Sequence, residues 1–170
     1  KLLQLVNSAF FGFASQVSSA KEAVMLLGTS TVRSLALTVH LFSTFKIPPA
    51  EDFSVENIWT HSLRVARNAE RISRLEHTDN AFIEQAFTAG LLHDVGKLIL
   101  AHSFSSEYLP LGNRSRQEGR SLSDIEYEIV GATHAQVGAS LLQLWGLPSS
   151  LIEAVLWHEH PSDASPAGFS

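Results

Sequence analysis

Leu92-His93-Asp94-Val95-Gly96-Lys97 is the stretch on which the reading of this chain turns. A histidine and an aspartate stand side by side inside an otherwise apolar run, Ala86 to Leu100. The run has helical length, and Asp79 or Asn80 can open it, so one helix is expected from there to about Ser103. On that helix Ala89, His93 and Lys97, spaced by four, share a face. Burying a polar group without a partner costs about 2–7 kcal/mol, so a metal ion or a hydrogen-bonded pair must compensate. Gly90 and Gly96 flank the doublet, and each costs about 1 kcal/mol relative to Ala in a helix interior. They mark either ordinary tight packing or close approach of a second helix or a ligand. Lys97 has two readings: a phosphate contact beside a metal, or an i+3 partner that neutralises Asp94.

Outward from the doublet, the chain reads as helix after helix. Lys1 to Ala9 is read as a helix end and Gly12 to Ser18 as a loop. Ser19 with Glu22 makes a capping box for a short helix stopped at Gly28. Thr29 to Phe45 is a second apolar helix, and Pro48-Pro49 breaks the pattern. Ser54 caps a long helix from Val55 to about Leu75. Gly112 to Arg120 is polar and is expected to be an exposed loop. Further boxes are read at Ser123 with Glu126, Thr133 with Gln136, and Ser150 with Glu153, with stops at Gly131, Gly146 and Pro161. Pro161 to Ser170 is expected to be a loose tail. The expected fold is all-α in two lobes, residues 1–50 and 51–170, divided at the proline pair.

Bulk properties narrow the function. The 170 residues are 45% hydrophobic and 17% charged, enough for a domain with a real core. No cysteine is present, which removes disulfides and thiolate chemistry and fits a reducing, cytoplasmic setting. The net charge of -5 argues against a broad nucleic-acid-binding surface. No apolar run approaches the roughly 20 residues that span a bilayer, and no signal peptide is visible. The start at Lys1, inside an amphipathic pattern, is read as the edge of a fragment. Arg64, Arg67, Arg71 and Arg74 share one side of a helix, either a solvated face balanced by Glu70 and Glu76 or a docking edge for an acidic partner.

Among eight histidines, His61, His93, His134, His158 and His160 stand near strong apolar patterns. His61 lies on the stripe Ile58, His61, Val65, Ile72, expected to face the core. His134 falls in the first turn of its helix, and His158 continues the stripe Leu151, Val155. His160, beside Pro161, is expected to point elsewhere. A lone inward histidine is usually a core residue bonded to a backbone carbonyl. Four on different helices, with an adjacent Asp94, can converge as helical bundles do when they build metal sites. The helix dipole favours a neutral, ligating His134 at its N-terminus and a protonated, non-ligating His158 at its C-terminus.

These residues carry a resemblance. Leu5-Val6-Asn7-Ser8-Ala9-Phe10-Phe11-Gly12, Ala23-Val24-Met25-Leu26-Leu27-Gly28, Leu91-Leu92-His93-Asp94-Val95-Gly96-Lys97-Leu98, Thr133-His134-Ala135-Gln136-Val137-Gly138-Ala139, Leu144-Trp145-Gly146-Leu147-Pro148 and Trp157-His158 follow one another in order. The chain resembles the HDOD domains of bacterial signalling proteins, relatives of the HD phosphohydrolases, nearly end to end. The resemblance implies a two-lobed helical HD-like bundle serving as an output or regulatory module. It implies candidate metal ligands His61, His93 and Asp94, with His134 and His158 matching extra ligands of HD-GYP phosphodiesterases, and Lys97 as a candidate phosphate contact. The divalent ion would be Fe, Mn, Mg or Zn, or the site would hold none. The family's last Asp has no match, since Asp163 lies in the tail, and the Gly-Tyr-Pro block is replaced by Glu159-His160-Pro161-Ser162. The expectation is therefore a non-catalytic module acting on signalling partners or fused domains, or sensing a small phosphorylated ligand. The alternative is a metal-dependent phosphohydrolase of the HD superfamily.

Overall fold

The structure is a computed structural model and describes residues 2–8, 11–76 and 79–164. Every regular element among them is helical, and the one bridge of strand type, Ala50 with Phe53, is isolated. By internal packing the chain falls into two compact units, Lys1–Thr44 and Phe45–Ser170.

The first unit holds α1 (Leu2–Val6), α2 (Ala20–Leu27) and α3 (Thr29–Thr44). Within the stretch Lys1 to Ala9, read as a helix end, Leu2–Val6 is helical, while Lys1 and Ala9 themselves lie outside the described residues. Between α1 and α2 the loop is pinned by Asn7. Its side chain donates to the Val17 carbonyl at 2.8 Å and accepts from the Val17 N–H at 2.7 Å, copying a backbone pair where no strand exists. This clasp seats Val17 beside Val6, Ala23 and Val32 in a small apolar core. Ser19 caps α2 by accepting from the Glu22 N–H. The box is shifted by one residue, because the Glu22 carboxylate accepts from the backbone N–H and hydroxyl of Ser18.

The second unit holds α4 (Val55–Leu75), α5 (Asn80–Leu92), α6 (Val95–Ser103), α7 (Ser105–Tyr108), α8 (Leu111–Glu118), α9 (Leu122–Val130), α10 (His134–Leu144), α11 (Ser149–Leu156) and a 3-10 turn, Pro161–Asp163. Ser54 and Asp79 cap α4 and α5 as expected, and Thr133 with Gln136 forms a complete capping box. Three expectations fail. The single helix through the doublet is two: α5 ends at Leu92, and α6 begins at Val95. The polar stretch after Gly112 is helical to Glu118 and stopped by a left-handed Gly119. Helix α9 is capped by Ser121, and α11 opens behind Pro148. Ser123 and Glu126 are therefore free for other partners, and Ser150 donates to Gln85.

The break at His93-Asp94 has a packing cause. A Cβ on Gly90 would come within 2.5 Å of the Ala66 backbone, so α5 lies directly on α4. A Cβ on Gly96 would come within 1.9 Å of the His134 carbonyl, so α6 lies directly on α10. Two helices met at backbone distance in different directions require the chain to turn between them, and the doublet is that turn. The close approach read from the two glycines is thus helix against helix. Elsewhere Leu100, Ala101, Tyr108, Leu111 and Ile125 form a core under α6 to α9. On α4 the buried face is Ser62, Leu63, Ala66 and Ser73, one position round from the expected stripe. His61 consequently stands at the rim, with its side chain 56% exposed, and Ile72 is exposed. In the arginine row Glu70 pairs with Arg74 at 2.9 Å and with Arg67 at 3.5 Å.

Candidate metal centre

Asp94 is the centre of the cluster. It is buried, at 2% exposure, in the turn between α5 and α6. Its Oδ2 faces His93 Nε2 at 3.4 Å and His61 Nε2 at 3.9 Å. Its Oδ1 faces His134 Nε2 at 3.5 Å and His158 Nε2 at 3.9 Å. His134 Nε2 and His158 Nε2 are 3.4 Å apart. The rings follow one another at centroid distances of 5.1 Å (His61 to His93), 5.0 Å (His93 to His158) and 5.3 Å (His158 to His134). Two half-sites thus share one carboxylate: His61, His93 and Asp94, then Asp94, His134 and His158.

The outer ring nitrogens set the tautomers. His93 Nδ1 lies 2.8 Å from the Gly90 carbonyl, and His158 Nδ1 lies 2.7 Å from the Val155 carbonyl. A carbonyl only accepts, so each Nδ1 carries the proton and each Nε2 presents a lone pair inward. His134 Nδ1 lies 2.7 Å from the Glu126 carboxylate, with the same result. Glu126 is itself fully buried, and it accepts from the His134 backbone N–H at 2.8 Å and the Tyr108 hydroxyl at 2.6 Å. A carboxylate behind a ligating histidine is the usual way its ring is oriented and made more basic.

Burial favours the neutral form of His93 and of His158. Desolvation pulls His93 down to about 4, against the opposing pull of Asp94 and the Gly90 bond. It also pulls His158 below its ordinary range, outweighing the Val155 carbonyl and Asp94. This reverses the expectation from the helix dipole: His158 leans to its neutral, ligating form because it lies in the cluster, past the end of α11. Burial pushes the Asp94 carboxyl up, but the Lys97 ammonium, then His93, outweigh it and hold it below its usual range. Lys97 Nζ sits 2.8 Å from Asp94 Oδ1, so the i+3 pairing reading describes the geometry. The ammonium approaches off the line of a good hydrogen bond and leaves that buried oxygen without a directed donor.

Lone pairs from buried imidazoles and both oxygens of a buried carboxylate therefore point at one another. Acceptors crowded at 3.4–3.9 Å repel unless a cation lies among them. A tetrahedral set with ligand bonds of roughly 2.0–2.2 Å has ligand–ligand separations of about 3.3–3.6 Å. By composition and spacing the group could hold a metal ion.

Sequence reasoning placed His61, His93, Asp94, His134, His158 and Lys97 at the site, and the structure brings all six together. It missed Glu126, read as a capping partner, and Glu159, passed over between His158 and His160. Glu159 Oε1 lies 3.8 Å from His134 Nε2, and its Oε2 accepts from the Ser123 hydroxyl. Two acids inside or beside the apolar and histidine patterns were the available signal.

An all-helical HD-like fold with a His-Asp doublet at its centre defines the class. The chain belongs to the HDOD domain family, whose pattern it matches over residues 1–161. Three solved structures are similar. One from Geobacter sulfurreducens, described as an HDOD domain protein of unknown function, shares 29% identity and a TM-score of 0.77, over 96% of this chain and 54% of that one. One from Shewanella amazonensis, provisionally named a phosphohydrolase, shares 27% and 0.77, over 97% and 57%. One from Marinobacter aquaeolei, provisionally named a signal transduction protein, shares 25% and 0.78, over 97% and 37%. The chain spans little more than half of the first two and about a third of the last. No helix among the described residues is long and apolar enough to cross a membrane.

Proposed function

We propose that this chain is a regulatory, non-catalytic module of bacterial signal transduction, with a His-Asp centre that binds a divalent metal as a structural or ligand-sensing element. The observation that carries the reading is the Lys97–Asp94 pair. The carboxylate shared by both half-sites is already matched by an ammonium at 2.8 Å. That charge competes with the full metal complement that hydrolysis requires. The ion would be held by His61, His93, Asp94, His134 and His158, and Fe, Mn or Zn suits imidazole ligands better than Mg. The Marinobacter protein's name supports a signalling role, and the extra length of the similar chains suits a module that works beside fused domains or partner proteins. A cytoplasmic location fits the absence of cysteine, and the acidic charge sets nucleic acid aside as a partner.

The second reading, a metal-dependent phosphohydrolase, draws on the same converging lone pairs and on the Shewanella protein's name. A bound metal would polarise a phosphoester and lower the pKa of a coordinated water. Lys97 lines a cavity of about 170 Å³ with Asn57 and Tyr108 and is placed to contact a phosphate. The test is a hydrolysis assay with Mn²⁺, Mg²⁺ and Fe²⁺ on simple and cyclic phosphodiesters, with His93→Ala/Asp94→Ala as control. Equal background in both proteins is the expected result. Metal-dependent turnover that disappears in the double variant overturns the regulatory reading.

A further inference from the structure

We propose that the outer face of α4 docks an acidic helix of a partner signalling protein, laid along the row His61, Arg64, Asn68, Arg71 and Leu75. The inference deepens the regulatory reading above by naming the partner's chemistry and the surface that meets it. All five residues are exposed. Their spacing, alternately three and four, keeps them in one line along α4, the line on which a second helix lies. Arg64 and Arg71 stand two turns apart, about 10 Å. Carboxylates seven residues apart on a partner helix would face both.

The charge on this face is local and unbalanced. In the same unit Arg114, Arg116 and Arg120 each meet a carboxylate at 2.6–2.9 Å. On α4 the acid beside the row, Glu70, is taken by Arg74 and Arg67. Arg64 and Arg71 form no ion pair among the described residues. Arginines three and four apart (Arg64 with Arg67, Arg67 with Arg71, Arg71 with Arg74) repel and disfavour the helix. A chain of net charge -5 thus concentrates positive charge on one side of one helix, and an acidic surface opposite would relieve it.

At the far end of the row Leu75 is 76% exposed, and Ile72 beside it is 60% exposed. Arginine is enriched at protein interfaces, where charge sets register and apolar side chains supply area. Two apolar side chains beside guanidinium groups are too few for a helix face to bury in lipid. The net negative charge of the chain disfavours a long polyanion such as nucleic acid. A short acidic helix meets the row alone. At its near end the row reaches His61, whose Nε2 faces Asp94 Oδ2 at 3.9 Å. A helix seated there would lie against the rim of the His-Asp centre, so docking and the state of the centre would influence each other.

The probe is a labelled synthetic helix of three heptads, with Glu placed opposite Arg64 and Arg71 and Leu opposite Leu75 and Ile72. It is titrated into the whole chelator-treated chain and followed by fluorescence anisotropy. Expected is saturable binding that weakens as salt rises. Binding should fall by about tenfold or more in Arg64→Glu/Arg71→Glu and return when the two facing Glu of the peptide are replaced by Lys. Leu75→Ser should weaken it as well. Lys21→Glu/Arg33→Glu, the same change in net charge on exposed residues of the first unit, should leave it unchanged. Melts establish that each variant is folded. No binding of the peptide, or binding indifferent to Arg64→Glu/Arg71→Glu, overturns the docking surface and leaves the regulatory reading to the hydrolysis assay. Tighter binding to vesicles of one-third phosphatidylglycerol in phosphatidylcholine, or to duplex DNA, overturns it in favour of a lipid or nucleic-acid partner. Metal-dependent turnover in the hydrolysis assay would overturn the regulatory reading alone, since the peptide titration uses metal-free protein.

Discussion

Glu126 holds His134 twice, accepting from its backbone N–H at 2.8 Å and from its ring Nδ1 at 2.7 Å. Both residues are fully buried. The first bond satisfies an orphan donor at the start of α10, and the second aims the ring at Asp94. Glu126→Gln should destabilise the domain by about 3 kcal/mol, because one partner of a buried charged network is lost. Tyr108→Phe removes only the 2.6 Å hydroxyl bond and should cost about 1–2 kcal/mol. Urea melts rank the two, and equal costs would show that Glu126 does not organise the network.

The neutral state of His93 makes the metal-free domain sensitive to acid. An unfolded histidine binds its proton near pH 6.5, whereas folded His93 resists until about 4. Between those values the unfolded state binds more protons, so stability falls as pH falls. The contribution is complete above about pH 6.5 and amounts to on the order of 3 kcal/mol, lost by about pH 4. His158, also pulled down, adds in the same direction. Chelator-treated protein melted at pH 7.5, 6, 5 and 4.5 should weaken progressively, and His93→Gln should flatten the slope. A flat profile in the unaltered chain would contradict the burial argument.

Gly96 and Gly112 should answer differently to the same substitution. A Cβ at Gly96 meets the His134 carbonyl at 1.9 Å and the Gly138 nitrogen at 2.8 Å, both backbone atoms that cannot yield cheaply. Gly96→Ala should cost about 3 kcal/mol or more by forcing α6 from α10. At Gly112 the nearest atom is 3.5 Å away, an ordinary contact, and the residue is helical. Gly112→Ala should be neutral or stabilising by up to about 1 kcal/mol. Thermal unfolding distinguishes them, and similar midpoints would refute the close packing.

Lys97 Nζ lies 2.8 Å from Asp94 Oδ1, so a metal ion bound at that oxygen would compete with the ammonium. Lys97→Met should destabilise the chelator-treated protein, by about 3 kcal/mol, because a buried carboxylate loses its charge partner. The same substitution should raise affinity for Mn²⁺ or Zn²⁺ several-fold. Calorimetry on both proteins checks the pair of effects, and weaker metal binding in the variant would make Lys97 a support of the ion instead of its rival.

Local chemistry carried much of the fold. Ser54, Asp79 and Thr133 with Gln136 announce their helices because a cap is a contact between residues three apart, readable without any partner element. The site's residue types were legible for a related reason: His93, Asp94 and His134 are polar groups in apolar patterns, and burial without a purpose is too costly. What periodicity could not decide was which neighbour each face would meet. His61 sits at the rim and not in the core because the buried face of α4 is Ser62, Leu63, Ala66 and Ser73, with the backbone of Ala66 against Gly90 of α5. The doublet is a turn and not mid-helix because Gly90 and Gly96 bring two different helices to backbone distance. Glu126 takes its role from His134, eight residues away in the chain, and Glu159, twenty-five residues away, comes within 3.8 Å of the same ring. Such contacts exist only after α9, α10 and the end of α11 have packed, so the amino-acid sequence determined the helices and the chemistry available, and tertiary packing decided which side chains share the centre.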